Sequence, residues 1–252
     1  MADRVSTLTP PPEGGLVMPD PLRGRDDRGG AFGYLMDALR LRPAGRRVLS
    51  ALSIMLFLVG AGMFAYPFVT DIYAQQVLQK PLEDQLASDA IRDAYAAGTL
   101  KAGDPLTRIV MPKIGVAAIV VNGTSPSALR AGAGHYPNTP LPGEAGNVGI
   151  AGHRTTYGKP FNRVDELMVG DLVQLETPLA VHTYKVVAPP AGVPTPCGGG
   201  KGCWITIPSD WSVVAPLEGR FLTLTSCHPK GSARQRIIVR AELVQTQPRP
   251  TS

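Results

Sequence analysis

The sequence is short of several things that would assign a function quickly. Aromatic residues make up 6% and charged residues 18% of its 252 positions. The basic side chains do not gather on one strip with interleaved aromatics, and the net charge of +5 is modest, so a nucleic-acid surface is not indicated. Four histidines and three cysteines leave little for a metal centre. Cys227 and His228 have no companions at ligand spacing, and no His-Glu-x-x-His is present, so no metal is expected. What is abundant is 28 glycines and 25 prolines, set at short intervals, which favours many short strands over long helices. The hydrophobic share of 44% is ordinary for a globular chain, and the length allows one or two domains.

One long apolar run stands outside this pattern. Residues 48–69 carry no charge, and at about 1.5 Å per helical residue they cover the ~30 Å hydrocarbon layer of a bilayer. A core helix of that length would show a polar stripe. The rival reading is a cleavable signal peptide, but its apolar stretch is about 7 to 15 residues and sits at the extreme N-terminus. Tyr66, Pro67 and Phe68 would also make a poor cleavage site. Residues 46–70 therefore read as one transmembrane helix. Arg40, Arg42, Arg46 and Arg47 precede it, whereas the far side opens with Asp71 and has no Lys or Arg until Lys80. By the positive-inside tendency the N-terminus is cytoplasmic and the remainder extracytoplasmic. Residues 1–45, with Pro10, Pro11 and Pro12, read as a disordered cytoplasmic tail. Residues 71–104, interrupted by Pro81, read as a helical stalk, and residues 247–252 as a flexible tail.

From Leu106 the hydrophobic period becomes that of strands. Residues 108–113, 117–121, 147–153, 171–176, 182–188, 221–227 and 236–244 are short, rich in β-formers and bounded by Gly, Pro, Asn or Asp. Ile237, Val239, Ala241 and Leu243 alternate with Arg236, Ile238, Arg240 and Glu242, which suits a strand with one buried face. Short helical pieces are expected at residues 126–130 and 160–167. Seven or eight strands in roughly 140 residues favour a barrel or sandwich, placing a mainly β domain at residues 105–246.

Chemistry concentrates where two of these strands end. Cys227 closes an apolar run, and a thiol needs a partner to become a thiolate at neutral pH, most often an imidazole. His153, ending another short apolar run, is the candidate. His228 competes, but neighbours on a strand point to opposite faces. Thr223, Thr225 and Cys227 share a face, and a hairpin onto the following strand could put Arg234 or Arg236 on that same side; parity does not choose between them. Cys197 and Cys203 flank Gly198, Gly199, Gly200, Lys201 and Gly202, a loop supple enough for a disulfide. In an exported domain that pair reads as a bridge, with two free thiols as the alternative. Cys227 is then the unpaired cysteine, itself a reason to suspect reactivity. Papain-like proteases place Cys before His, the reverse of His153 and Cys227, and the Ser-x-Gly-Cys signature of L,D-transpeptidases is absent.

The order Gly152-His153-Arg154, Thr223-Leu224-Thr225-Ser226-Cys227, and Arg236 on the next strand resembles the sortases, membrane-anchored cysteine transpeptidases. The segments HYPNTPLPG from His135, GHRTTYGKPFNRVDEL from Gly152 and CHPKGSARQR from Cys227 look most like class E sortases of actinobacteria, with Ser226 standing where the family often has Thr. The resemblance implies an eight-stranded sortase barrel and a reaction that requires no cofactor. It implies that Cys227 attacks the Thr–Gly carbonyl of a C-terminal Leu-Ala-x-Thr-Gly or Leu-Pro-x-Thr-Gly signal on a surface protein, with His153 as acid–base partner. It selects Arg236 as the charge stabiliser, and a peptidoglycan precursor or cross-bridge amine as the acceptor. Tyr136 matches the position linked to Ala in the signal, and Thr225 and Ser226 would line the peptide site. Two other readings stay open: a pilin-polymerising sortase using a protein lysine, and a catalytically silent scaffold.

Overall fold

A computed structural model describes residues 43–249; the expected tail at residues 1–45 lies almost entirely outside them. The described chain falls into two compact units, one ending at Val59 and the other beginning at Gly60. The first element is helix α1 (Pro43–Tyr73), within which residues Arg47–Thr70 have a mean hydropathy of 2.2 and are long and apolar enough to cross a membrane. Leu56, Phe57, Met63 and Phe64 on this helix are all exposed. Large apolar side chains left uncovered along a whole helix are what a lipid-facing span requires.

A π-helical turn (Ala74–Gln79) leads into α2 (Lys80–Leu86) and α3 (Asp89–Ala96). Pro81 occupies the first turn of α2, where its missing N–H costs no hydrogen bond, and Ser88 caps α3 by accepting from Ile91 N. Gln79 fastens this segment to the β-domain. Its Oε1 accepts from Ile119 N at 2.6 Å and its Nε2 donates to Ala131 O.

Ten strands follow: β1 (Pro105–Met111), β2 (Val116–Asn122), β3 (Ala133–His135), β4 (Gly146–Gly152), β5 (Leu172–Glu176), β6 (Ala180–Val186), β7 (Thr195–Pro196), β8 (Cys203–Thr206), β9 (Arg220–His228) and β10 (Gln235–Pro248). Eight close into a barrel in the order β6-β5-β1-β2-β3-β4-β9-β10, with β10 returning to β6. The long strand β10 makes closure possible. Its first half pairs with β9 on one edge and β8 on the other, and beyond Ala241 that second edge passes to β6 through a register shift between Leu243 and Gln245. Pairing runs on to Pro248, opposite Ala180, so the strand continues past the point at 247 where the sequence suggests a free tail.

The barrel interior is filled from alternate positions: Ile109 and Met111 of β1, Val148 and Ile150 of β4, Leu222 and Leu224 of β9, Ile237 and Val239 of β10. Each is essentially removed from water and stabilises the fold by about 1.5 to 3 kcal/mol relative to exposure. Strands β3, β7 and β8 are two to four residues long, below the length at which alternation is visible in a sequence. The helix at residues 126–130 is present as α4 (Pro126–Ala131), capped by Ser125. Residues 160–167 instead form turns ending in a single 3-10 turn, Val164–Glu166.

Cys197 and Cys203 are joined by a disulfide across the β7–β8 hairpin. Cys203 is fully buried against the barrel, so the bridge pins the hairpin loop to the core. The loop closed is six residues long, which corresponds to about 2 kcal/mol by loop entropy. Replacing both cysteines by Ala is expected to lower unfolding free energy by that amount in urea titrations of the full chain in detergent. Equal midpoints for the two proteins would mean that the bridge contributes nothing.

Candidate active site

The site is assembled where β4 and β9 end side by side. These strands run parallel, with Ala151 level with Thr225. Continuing that register by two residues brings His153, the first residue after β4, level with Cys227. In a parallel pair, residues at the same level project from the same face. On the other edge β10 pairs antiparallel with β9, and Arg236 lies directly opposite Cys227. Arg234 precedes the strand and is exposed. The register thus distinguishes two arginines that parity alone leaves equivalent.

Leu222, Leu224, Ile237 and Val239 fill the barrel, so the alternate set Thr223, Thr225, Cys227, Arg236, Ile238 and Arg240 lines its outer face. Cys227 is half-buried and is the free cysteine among the described residues. His153 is also half-buried; its ring packs 5.2 Å from that of Tyr157, and burial lowers its pKa from the ordinary histidine value. At neutral pH it is therefore mainly an uncharged imidazole, able to accept a proton.

Tyr136 donates or accepts a 3.0 Å hydrogen bond with Thr225 Oγ1 on the same face. Its ring packs over Gly149, where a Cβ would lie 2.8 Å from Tyr136 and 3.1 Å from Val214, so only glycine admits the approach. Ser226 behaves differently from the expectation that it lines the peptide site. It is buried on the inward face and donates to Gly152 O at 2.7 Å, tying β9 to the end of β4. His228, next along β9, points away from the Cys227 face by the same alternation. His135 and His182 are buried in the fold, with His135 Nε2 near Pro140 O and Thr139 Oγ1 and His182 Nδ1 near Thr246 Oγ1.

The segment between β8 and β9 forms a wall over this face. Tyr136, Asp210, Trp211, Val214, Thr225 and Arg236 line a cleft of about 90 Å3 there. A buried polar network holds the wall. Asn147 Nδ2 donates to Val213 O and Ala215 O, Arg240 Nη2 donates to Val213 O, and Thr223 Oγ1 links Asn147 Oδ1 to Arg240 Nε. The Arg240 guanidinium also stacks over Trp204, 5.2 Å from the ring centre. Arg236 Nη1 donates to Ala233 O and Gln235 O, so the turn's own backbone orients its guanidinium. Among the described residues no group of three or more potential ligands gathers to hold a metal.

Sequence reasoning missed this second set, Asn147, Arg240 and Trp211. Only Arg240 left a trace, as a charge at an alternate position of a strand. Asn147 and Trp211 act through main-chain carbonyls and loop geometry, which no spacing reveals.

All four histidines have pKa values lowered chiefly by burial. Below the ordinary value of about 6.5 the unfolded chain therefore binds protons before the folded one does, and stability falls as pH drops through that window. Urea midpoints measured from pH 7 to pH 5 should decrease at constant slope; a midpoint that rises on acidification would contradict the burial assignment.

A sortase-domain family model matches residues 109–244. Sortase SrtE1 of Streptomyces coelicolor is 29% identical over 231 residues, covering 83% of this chain. The match spans 62% of that relative's own length. Sortase E of Streptomyces avermitilis superposes with a TM-score of 0.50 at 35% identity, covering 59% of this chain and 93% of that one. The structure of sortase E1 from Streptomyces coelicolor with a tripeptide in the active site superposes with a TM-score of 0.50 at 28% identity, covering 57% and 90%.

Proposed function

We propose, since this chain belongs to the sortase family of cysteine transpeptidases and to its class E, that it cleaves a C-terminal sorting signal of the Leu-Ala-x-Thr-Gly or Leu-Pro-x-Thr-Gly type and transfers the new Thr carboxyl to a cell-wall amine. The observation that supports this reading is the register around the end of β9: Arg236 lies opposite Cys227 on β10, and β4, level with β9 at Ala151 and Thr225, continues directly into His153.

In the reaction so assigned, the Cys227 thiol passes its proton to the neutral His153 imidazole and Sγ attacks the Thr carbonyl carbon. The resulting imidazolium protonates the departing glycine nitrogen as the C–N bond breaks, leaving a thioester on Cys227. Arg236 donates to the oxygen that becomes negative, a contribution of about 3 to 4 kcal/mol in comparable oxyanion sites. An acceptor amine, in this reading on a peptidoglycan precursor or cross-bridge, then attacks the thioester carbonyl; as the C–S bond breaks, His153 takes the proton from the new amide nitrogen and returns it to the Cys227 sulfur. Burial of His153 supports this cycle, because a ring already protonated at rest could not take the thiol proton.

The signal peptide would lie along the outer face of β9, between Tyr136 and the wall carrying Trp211. The Tyr136 hydroxyl, held by Thr225, would meet the residue at the second position of the signal. Helix α1 would anchor the chain as a single membrane span with the N-terminus cytoplasmic and the barrel outside, in keeping with the arginines before the span.

Two measurements test the reading on the full chain in detergent. Wild-type protein should release fluorophore from a quenched Leu-Ala-x-Thr-Gly or Leu-Pro-x-Thr-Gly peptide, and Cys227→Ala should release none; equal signals would remove the enzyme reading and favour a silent scaffold. Tyr136→Phe should change the ratio of kcat/KM between the Ala and Pro peptides by several-fold, corresponding to about 1 kcal/mol for one hydrogen bond. An unchanged ratio would take Tyr136 out of signal selection.

A further inference from the structure

Arg154 follows His153 directly, yet its side chain does not enter the cleft. It is 3% exposed, and every donor of its guanidinium that has a partner is directed into the corner between β4 and β9. Nε donates to Asn162 O at 2.9 Å, Nη1 to the main-chain O of Cys227 at 3.3 Å, and Nη2 lies 2.8 Å from Asp165 Oδ1. Asn162 returns the contact, its Nδ2 donating to Arg154 O at 2.7 Å, and Phe161 N donates to His153 O at 3.2 Å. Phe161 itself lies over Gly152, where a Cβ would come within 2.6 Å of its ring.

The backbone explains why a guanidinium is needed. Strand β4 stops at Gly152 while β9 runs on to His228, so the carbonyl of Cys227 faces the side from which its strand partner has departed. A buried carbonyl left without a donor costs about 1 to 3 kcal/mol. Arg154 supplies that donor from the residue next to His153. The same group closes the base of the 153–162 loop through Asn162, and Asp165 as counter-ion offsets part of the cost of burying it.

We propose that Arg154 is a positioning residue of the transpeptidation site: by bonding the Cys227 carbonyl and clamping the loop that begins at His153, it fixes the imidazole relative to the thiol. Asp165 and Asn162 hold Arg154 in turn. This rests on the transpeptidase reading given above. A lysine at 154 would keep the charge but has no planar fork to reach Cys227 O, Asn162 O and Asp165 together. The two reacting side chains would then be free to separate, and misplacement by about 1 Å can cost on the order of a hundredfold in rate. The peptide, bound on the outer face, would not sense the change.

The ionisable groups on the elements that meet near the thiol include His153 after β4 with Tyr157 packed on its ring, Arg236 on β10, His228 on β9, the Arg154–Asp165 pair in the corner, and Lys230, which donates to Asn162. The test compares wild type, Arg154→Lys and Asp165→Asn as full chains in detergent, with the quenched Leu-Ala-x-Thr-Gly peptide. At matched circular dichroism, Arg154→Lys should lower kcat at least roughly tenfold with KM within about twofold, and its pH–rate profile should lose the limb belonging to His153. A wild-type kcat and pH profile, or a loss no greater than the unfolded fraction, would overturn the proposal. Should Arg154→Lys not fold, Asp165→Asn carries the same test, because the amide keeps the shape and an acceptor while removing the charge; unchanged kcat there would overturn the proposal. If wild type cleaves no peptide, the transpeptidase reading fails by itself, and Arg154 is then judged by alkylation of Cys227 with iodoacetamide from pH 6 to pH 9. Slower alkylation in Arg154→Lys supports the positioning role, and coincident rates at every pH overturn it.

Discussion

The parallel register between β4 and β9 is the constraint on which the rest of the site depends. Ala151 beside Thr225 means that two strands arriving from distant parts of the chain run level up to Gly152 and Ser226, beyond which β9 alone continues to His228. Parallel neighbours cannot be joined by a tight turn, and here β5 to β8 lie between them in sequence. That intervening chain does two jobs. It completes the barrel through β5 and β6, and through β8 it brings the wall with Trp211 over the outer face of β9. A slip of one residue in this register would turn Leu222 and Leu224 out of the core and Cys227 into it. The apolar filling of the barrel therefore enforces the alignment of His153 with Cys227, and packing energy holds a geometry that the polar groups alone could not.

What the sequence discloses follows from the same physics. Long strands with one buried face announce themselves by alternation, as Ile237, Val239 and Ala241 do, and the apolar helix before them by its lack of charge. Strand ends mark Cys227 and His153 as candidates from the residues themselves, whereas Arg236 is separated from Arg234 only by the resemblance and, in the structure, by its position opposite Cys227. The elements that escape are those whose signal is shorter than a period: β3, β7 and β8, and the turns at residues 160–167 where a helix is suggested by composition. Ser226 illustrates a further limit. Position beside Cys227 suggests contact with peptide, yet strand alternation places its hydroxyl on Gly152 O inside the fold.

Two buried arginines flank β9, and neither is explained by charge pairing alone. Among the described residues no carboxylate pairs with Arg240; it holds a main-chain carbonyl of the wall, a threonine hydroxyl and an indole face, and burial lowers its pKa from the ordinary arginine value. Arg154 holds the carbonyl of Cys227 and has Asp165 as counter-ion. In both cases the guanidinium takes the place of a strand that is not there, donating to a carbonyl, Cys227 O at the end of β9 or Val213 O in the wall, that would otherwise lack a donor.

This gives the open end of the barrel a particular mechanical character. In the transpeptidase reading proposed above, one face of β9 would stay accessible for a peptide, so the usual means of rigidity, another strand or an apolar layer, would be unavailable over Cys227. Rigidity is instead delivered from the sides and from behind: by Arg154 from the β4 corner, by Arg240 and Asn147 beneath the wall, and by Ser226 across to Gly152. Each of these contacts ends on main-chain carbonyls, which do not depend on the side chains presented to substrate. If the proposed peptide site is the cleft lined by Tyr136, Trp211 and Val214, those residues could vary with the signal without loosening contacts that end on main-chain carbonyls.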